Sequence, residues 1–230
     1  RFQIGENLYE FITEHIPTLQ ENSILVITSK IISLSQNKLS DDTWEERSEL
    51  VKKESDWSVE DEWGHVSYRD GMLVGSAGID QSNGFGKLIL LPEDCYTLAQ
   101  EIYSKLVPMY GIKNFGIIIT DSRSIPLRYG AIGQSLGHFG FKGIRNYVGT
   151  KDLDGRIIQI EKSNVVDALS ASAVNEMGET NEMKPLCIVE NAYVAYTEEP
   201  VDSGTIIVPF TKDRFFKIID KIKKEIGGIS

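Results

Sequence analysis

The sequence HVSYRDGMLV (residues 65–74) predicts a β-hairpin, and this hairpin favours one fold class. His65–Tyr68 and Met72–Val74 supply the strands, and Asp70-Gly71 is a favoured turn pair because both turn positions need a positive φ. A hairpin joins antiparallel strands, whereas a strictly alternating α/β fold joins parallel strands through helices. We therefore expect an α+β fold with mixed, hairpin-rich sheets and flanking helices.

Apolar, β-branched runs on both sides of the hairpin predict further strands. Ile24–Thr28 and Phe115–Thr120 are typical of buried strands, and Asp121 is expected to end the second one. The glycine-rich stretch 123–148 predicts an extended loop with short strands. Shorter strand patterns occupy residues 87–91, 156–160, 186–189 and 205–208.

Apolar residues at helical spacing predict helices between these strands. The first helix begins near Gly5 and stops at Pro17, and the last is an amphipathic helix over residues 215–226. Three further helices are predicted from residues typical of helix ends. Ser40 or Asp41 is expected to cap a solvated helix, and Ser163 is expected to cap a helix that Gly178 follows. Between them, Pro92-Glu93-Asp94 is expected to start a helix that ends at Gly111.

The composition restricts the classes of function. With 34 acidic and 24 basic side chains, the 230 residues carry a formal net charge of -10. This charge argues against nucleic acid or an anionic membrane as the main partner, because phosphate binding needs a basic surface. No apolar run reaches membrane-spanning length and no secretory pattern opens the chain, so we expect a cytoplasmic protein. The length fits one unit over residues 1–230, or two intimate subdomains.

Two motifs that suggest familiar enzymes fail on inspection. Gly133-Gln134-Ser135-Leu136-Gly137 matches a serine-hydrolase elbow, but His138 is the only later histidine and no acid precedes it, so we expect a glycine-rich turn. Gly84–Lys87 lacks both the earlier glycine and the Ser/Thr of a phosphate-binding loop.

The cysteines and histidines of the sequence do not form the patterns of a zinc site. Cys95 and Cys187 lie far apart and outside any Cys-x-x-Cys pair, so we expect reduced thiols, and the scattered histidines make a zinc enzyme a poor fit. Asp80, Asp121 and Glu179, by contrast, each stand at the end of a predicted element. Hard oxygen donors of this kind suit Mg²⁺ or Mn²⁺, although each acid alone would equally suit a turn or the surface.

Two basic positions lie near predicted strand ends. Ser29-Lys30 follows the first buried strand and could place a hydroxyl and an ammonium at a phosphate, or could simply continue the strand through Ile31-Ile32. Arg128, in the glycine-rich stretch, could pair with a carboxylate or phosphate in bidentate fashion, or with a neighbouring acid.

Several motifs in a fixed order carry a family resemblance. They are Ile27-Thr28-Ser29-Lys30, Ala77-Gly78-Ile79-Asp80-Gln81-Ser82-Asn83, Leu90-Leu91-Pro92, Ile118-Ile119-Thr120-Asp121-Ser122, Gly149–Arg156 and Met177-Gly178-Glu179. With these motifs, the chain resembles the γ-glutamyl ligases of the deazaflavin hydride carrier coenzyme F-420, including a branch assigned to folate metabolism. The similarity runs in register from about Gly5 to Val189.

The resemblance implies a fold, an activity and a set of site residues. The implied fold is α+β, in an intertwined homodimer of the γ-glutamyl ligase type without an appended flavin-reductase-like domain. The implied activity is GTP-dependent ligation with two divalent cations, Mg²⁺ or Mn²⁺, at the nucleotide phosphates. Matched position by position, the metal ligands are Asp80, Asp121, Ser122 and Glu179, and the nucleotide contacts are Ser29, Lys30, Asn83, Met177 and Gly178.

The chain also departs from the pattern of these ligases. Leu34 replaces a nucleotide-binding lysine, and Ser124–Arg128 stands where members carry Gly-Arg-Pro-Trp-Arg, so Ile125 replaces an arginine and Arg128 remains. The residues matched to metal and phosphate binding are retained despite these changes. Guanine selectivity and the identity of the acceptor cannot be carried over from the resemblance.

We therefore expect a GTP- or ATP-dependent enzyme that adds L-glutamate to a carboxylate of a deazaflavin or folate-type acceptor through an acyl phosphate. Asp80, Asp121 and Arg128 are its expected catalytic residues. Two alternatives remain at this stage: a metal-dependent nucleotide hydrolase that uses the same acids on water, and a non-catalytic nucleotide- or metal-binding relative.

Overall fold

The computed structural model describes residues 1–41, 43–62, 64–215 and 218. The helices of this described part are α1 (Leu8–His15), α2 (Ser29–Ser35), α3 (Trp44–Lys53), α4 (Cys95–Tyr110) and α5 (Val165–Met177). Its strands are β1 (Ser23–Thr28), β2 (Leu39–Asp41), β3 (Trp57–Asp61), β4 (Gly64–Arg69), β5 (Met72–Gly75), β6 (Lys87–Ile89), β7 (Phe115–Ser124), β8 (Ala131–Phe139), β9 (Ile144–Asn146), β10 (Lys162–Asn164) and β11 (Leu186–Glu190).

The central sheet has the strand order β11-β1-β7-β8, in which β1 and β7 are parallel and the two outer pairs are antiparallel. Side chains alternate along each strand, so both faces of the sheet need a covering layer. Leu25 and Ile117 pack into one buried cluster with α1, α2 and α4, while Ile24 and Ile118 pack into a second cluster with α5. Burial on both faces explains why β1 and the first part of β7 are continuous apolar runs.

Antiparallel strands make up the smaller sheets. β3, β4 and β5 form a meander, β2 pairs with β6, and β9 pairs with β10. The turn between β4 and β5 is the predicted Asp70-Gly71 pair, with φ of 50° and 79°. The mixture of parallel and antiparallel pairing confirms the α+β class.

Local sequence determines several helix ends. The side chain of Asn7 accepts hydrogen bonds from Tyr9 N and Glu10 N at the start of α1, and Gly111 ends α4 in the left-handed region at φ 66°. None of the helices in the described part of the chain has the length and apolar composition that a membrane span requires.

Three predicted helix starts were wrong by a few residues. Pro92 and Glu93 precede α4 instead of forming its first turn, and Asp94 is the cap. Ser40 and Asp41 belong to β2, so α3 begins only at Trp44. Ser163 lies in β10, and it is Asn164 whose side chain caps α5 by accepting from Asp167 N. For α3 and α5 the reason is strand pairing, because β2 and β10 take up the predicted cap residues and the helix begins only after the strand.

The strand predictions also needed corrections. β7 continues through Asp121 to Ser124 because β8 pairs with it, so the stretch 123–148 contains a nine-residue strand. Residues 156–160 form one isolated bridge, Lys151 with Ile157, and residues 203–205 form a 3-10 turn where the strand over 205–208 was expected to begin. The predicted helix over 215–226 falls almost wholly outside the described residues.

Candidate active site

The parallel pairing of β1 with β7 creates the site. Thr28 lies opposite Thr120 in the register, so the next residues, Ser29 and Asp121, emerge side by side. The Ser29 hydroxyl donates to Asp121 Oδ1 at 3.0 Å. Ser29 and Lys30 begin α2, so the alternative prediction that β1 continues through Ile31 was wrong. Parallel strand ends are a common position for ligand sites because several polar groups meet there.

The ionised form of the Asp121 carboxylate is disfavoured by its surroundings. The pKa of Asp121 is raised from 3.8 to about 6, chiefly by burial. The charge of nearby Asp80 also raises this pKa, while the Ser29 hydrogen bond and the charge of Lys30 oppose the rise. Because β7 continues to Ser124, Asp121 lies within the strand, opposite Gln134, instead of directly after it. The strand backbone therefore holds the carboxylate in place.

Asp80 is paired with a lysine on the neighbouring element. Lys30 Nζ lies 2.6 Å from Asp80 Oδ2 and also donates to Ser82 Oγ at 2.9 Å. Burial opposes ionisation of Asp80, but the hydrogen bonds from Lys30 and from Ser82 N overcome it, so the pKa is lowered. One cavity thus contains an ionised, paired carboxylate next to a desolvated one.

The backbone at Asp80 is fixed from two sides. Asp80 N donates to Ile89 O at 2.9 Å, and Ile89 N donates back to Asp80 O at 2.7 Å. The tight turn just before it, with Ala77 at φ 54°, is held by buried Arg69, which donates to Ala77 O and pairs with Glu54 at 3.2 Å. This polar anchor sets where the carboxylate points.

The segment that follows α5 closes the site from the opposite side. Asn83 Nδ2 donates to Thr180 O at 3.0 Å, which ties the Asp80 loop to this segment. Gly178 has φ 84° and ψ 171°, a backbone conformation that essentially only glycine adopts. The predicted contacts Asn83 and Gly178 are therefore brought to the same place.

A cavity of about 1080 Å³ joins these groups. Nearly all of the residues predicted for the site line it: Lys30, Asp80, Asn83, Asp121, Ser122, Met177, Gly178 and Glu179. Ser29 is buried directly behind it and contacts it through Asp121. Arg128 is the exception, because it is exposed in the connection between β7 and β8 and is absent from the lining. The structure therefore gathers the acids and the nucleotide contacts but leaves Arg128 apart.

The carboxylates fit a divalent cation as a pair. Among the described residues, no group of three or more His, Cys, Asp or Glu side chains is close enough to hold a metal ion, so Asp80, Asp121 and Glu179 line one cavity without forming a three-ligand cluster. Mg²⁺ is usually held by one or two carboxylates together with water and substrate phosphates. The desolvated Asp121 next to Asp80 fits that requirement.

Ser135 lies in β8 and not in the expected turn. Its hydroxyl donates to Gly137 O at 3.3 Å, and its backbone N donates to Asp167 Oδ1. Gly137 packs against the backbone of α4, where an added Cβ would lie 2.4 Å from the carbonyl carbon of Cys95. The glycines of this motif therefore serve close packing, consistent with the absence of a hydrolase elbow.

Sequence reasoning missed two polar residues of the cavity as functional groups. Arg123 lines it two residues beyond Asp121, and Ser82 donates from N and Oγ to the Asp80 carboxylate. The signal for Arg123 was its i, i+2 spacing from Asp121, which places both on one face once β7 is known to continue.

Comparison with known proteins shows similarity to one family of ligases. The family model described as F420-0:Gamma-glutamyl ligase matches residues 40–191. A "Coenzyme F420:L-glutamate ligase" of Methanococcus maripaludis strain C6 is 30% identical over 199 residues, which cover 78% of this chain and 80% of the relative.

Relatives of the same name from two other organisms have similar sequence identity to this chain. That of Methanopyrus kandleri is 29% identical, with 80% of each chain covered, and that of Archaeoglobus fulgidus is 29% identical, with 83% of this chain and 84% of the relative covered. The matched residues include Asp80, Asp121 and Glu179. Since the family model matches more than half of the sequence, the chain belongs to the F420-0:gamma-glutamyl ligase family.

Proposed function

We propose that this protein is a nucleotide- and divalent-metal-dependent γ-glutamyl ligase that adds L-glutamate to an acceptor carboxylate through an acyl phosphate. The observation that carries the proposal is the convergence of Lys30, Asp80 and Asp121 in one large cavity. Family membership supports the ligase class, and the names of the relatives, coenzyme F420:L-glutamate ligases, support a deazaflavin acceptor. A folate-type acceptor is the second candidate substrate.

The cavity residues divide the work of phosphoryl transfer. GTP or ATP would lie with its phosphates between Lys30 and the segment Met177–Glu179, where the lysine ammonium can bind anionic oxygens. Asp80 and Asp121, with Ser122 and Glu179 nearby, would hold the divalent cations. Two bound Mg²⁺ or Mn²⁺ ions supply neutralisation of the charge on the transferring phosphoryl group.

The reaction follows from this placement. The acceptor carboxylate attacks the γ-phosphate, the bond to the β–γ bridging oxygen breaks, and the nucleoside diphosphate leaves, which gives an acyl phosphate. The amine of L-glutamate then attacks the acyl carbon, loses a proton and displaces inorganic phosphate to form the amide. Positioning and electrostatic stabilisation are the main contributions of the protein in such reactions. No side chain has to become covalently modified.

We also propose that the protein works as a homodimer, and that residues 1–230 act as one unit. Support comes from the connection between β7 and β8, where Leu127 and Tyr129 are 98% and 109% exposed. Fully exposed apolar side chains clustered on a projecting loop are typical of an interaction surface.

The test is a ligation assay with purified protein, Mn²⁺, GTP or ATP, isotope-labelled L-glutamate and a panel of deazaflavin and folate acceptors. The expected result is an acceptor mass increased by one glutamyl unit, together with phosphate release that requires both glutamate and acceptor. Phosphate release that is independent of both would favour a nucleotide hydrolase. Nucleotide binding without any turnover would favour a non-catalytic relative.

A further inference from the structure

Arg123 lies in the cavity but has no role in the phosphoryl transfer proposed above. It follows Asp121 by two residues on β7, so both side chains share one face of the strand. Their Cα atoms are roughly 7 Å apart along an extended strand. A group bound to Arg123 would therefore lie next to the phosphoryl centre without overlapping it.

The hydrogen-bonding capacity of Arg123 is mostly unused. Its Nη1 donates to Leu73 O at 3.4 Å, which is a long contact, and within the described part of the chain it forms no ion pair. The nearest carboxylate groups are already engaged. Asp167 accepts from Ser135 N and Asn164 Nδ2, and Asp121 accepts from Ser29. The other N–H donors of the guanidinium fork remain available to a ligand.

The surroundings of Arg123 favour an anionic ligand. The cavity wall around it includes Val74, Ala131 and Val174, which offer little polar compensation. The Arg123 side chain is itself half-buried, so its charge is partly removed from water. A guanidinium nevertheless stays protonated near neutral pH. The attraction between this guanidinium and a bound anion is stronger than it would be for a fully exposed arginine, because water screens it less.

The other basic side chains of the cavity are engaged differently. Arg1 donates to Asn83 O and stacks on Phe85, and Lys30 is paired with Asp80. Lys184 is a single ammonium that contacts Glu176 O. A planar fork binds a carboxylate through two parallel hydrogen bonds, which a lysine cannot reproduce.

We propose that Arg123 binds a carboxylate of one of the two substrates that the ligase joins, either the α-carboxylate of L-glutamate or a carboxylate of the acceptor. This inference rests on the proposed ligase function. In an α-amino acid the amine is adjacent to the α-carboxylate, so glutamate held by Arg123 would present its nucleophile toward the phosphoryl centre at Asp121. An acceptor carboxylate held there would instead fix the acceptor beside that centre.

The test compares Arg123→Gln and Arg123→Lys with the wild type. Calorimetry would measure binding of L-glutamate and of the deazaflavin acceptor in the presence of a non-hydrolysable nucleotide, and the ligation assay would measure both KM values. We expect Arg123→Gln to weaken one of the two substrates roughly 10- to 100-fold, the usual cost of losing a charged hydrogen-bond pair. Arg123→Lys should be intermediate, and nucleotide affinity should stay unchanged.

γ-Aminobutyrate separates the two sources of the carboxylate, because it is glutamate without its α-carboxylate. If Arg123 binds that group, Arg123→Gln should weaken L-glutamate but not γ-aminobutyrate, whether the latter acts as substrate or competitor. If Arg123 binds the acceptor, the acceptor KM should rise while both amines behave as in the wild type. Lys142→Gln is the control, since Lys142 is an exposed cation paired with Glu199 outside the cavity.

Unchanged affinity for both substrates in Arg123→Gln would overturn the inference, as would a loss confined to nucleotide binding. A wild type that binds neither L-glutamate nor the acceptor would also overturn it. A wild type that binds both without forming product would contradict the ligase function instead, and the binding titrations would still decide the role of Arg123. Melting curves of each variant would show that the fold is retained.

Discussion

At the scale of single residues, two carboxylates in one cavity have opposite electrostatic surroundings. Asp80 has its lowered pKa through Lys30, whereas burial and the charge of Asp80 raise the pKa of Asp121. Like charges that are desolvated together destabilise the folded state until a cation neutralises them. A metal ion that binds only the folded state then stabilises it by mass action.

This argument predicts the behaviour of Asp121→Asn. The substitution keeps the shape of the side chain and removes one of the repelling charges, so the metal-free variant should melt at or above the wild-type temperature. Mn²⁺ should raise the melting temperature of the wild type, and nucleotide should raise it further. The variant should lose most of the Mn²⁺ shift and orders of magnitude in turnover. Thermal denaturation with and without Mn²⁺ measures the first effects.

Glu179→Gln should give the same changes in milder form, since Glu179 is exposed. Glu161→Gln is the control, because Glu161 is exposed and outside the cavity lining. A wild-type Mn²⁺ shift and normal turnover in Asp121→Asn would show that the proposed metal site is wrong.

His138 is a second residue with a measurable consequence. It is fully buried, and neither ring nitrogen has a hydrogen-bond partner within the described residues. Tyr96 and Phe141 pack against its ring, and Tyr96, whose own pKa burial raises, offers no charge near neutral pH. Desolvation lowers the pKa of His138 from 6.5 to about 4.

The lowered pKa predicts a loss of stability in acid. Between pH 6.5 and about 4 the unfolded chain takes up a proton that folded His138 refuses, so the stabilisation is present above pH 6.5 and is lost as the pH falls. The free energy of unfolding of the wild type should drop by about 2 kcal/mol more than that of His138→Phe between pH 7 and pH 5. Urea denaturation at both pH values measures this difference, and parallel changes in the two proteins would refute the prediction.

At the scale of elements, β8 shows that glycine spacing can encode packing. Gly133 faces α5, where a Cβ would lie 2.5 Å from Ser170 O, and Gly137 faces the start of α4. These close approaches let two helices pack on β8, which then pairs with β7 and extends it past Asp121. The position of Asp121 and Arg123 on a rigid strand depends on these glycines.

We therefore predict that Gly137→Ala destabilises the fold. Its Cβ would meet the backbone of Cys95 at 2.4 Å, and a helix backbone cannot move aside as a flexible side chain could. The expected loss is roughly 1–3 kcal/mol in the free energy of unfolding. Gly75→Ala is the matched control, because no heavy atom lies within 4 Å of a Cβ at that position. Equal stability of the two variants would contradict the close packing of β8 on α4.

At the scale of the whole molecule, the two apolar clusters on the faces of the central sheet account for the burial of β1 and β7. The β7–β8 connection, in contrast, projects apolar side chains that nothing in the described part of the chain covers. Leu127 and Tyr129 are the most exposed of these, and the proposed homodimer would bury them.

The proposed dimer predicts a mass of twice 25.8 kDa by light scattering. Leu127→Ser combined with Tyr129→Ser should shift the protein toward the monomer mass, since apolar burial drives most association of this kind. Met109→Ser, which changes an exposed apolar residue on α4, should leave the mass unchanged. A monomer mass for the wild type under ligation conditions would remove the homodimer proposal.

Part of this architecture follows directly from local sequence. Asp70-Gly71 specifies a hairpin because both residues tolerate positive φ, Gly111 ends α4 for the same reason, and Ile24–Thr28 forms a strand because its β-branched residues suit a surface buried on both faces. The ordered motifs around Asp80 and Asp121 were sufficient to indicate the family before any contact was known.

Tertiary structure decided what depends on residues distant in the chain. The parallel register that places Ser29 beside Asp121 and the pairing of β8 that carries β7 on to Arg123 both arise from such contacts. Local propensity cannot select among these pairings. A sequence pattern describes one segment at a time, whereas each pairing is set by packing between two segments. The sequence therefore indicated which residues are candidates for the chemistry, and the packing of β1, β7 and β8 determined which of them meet.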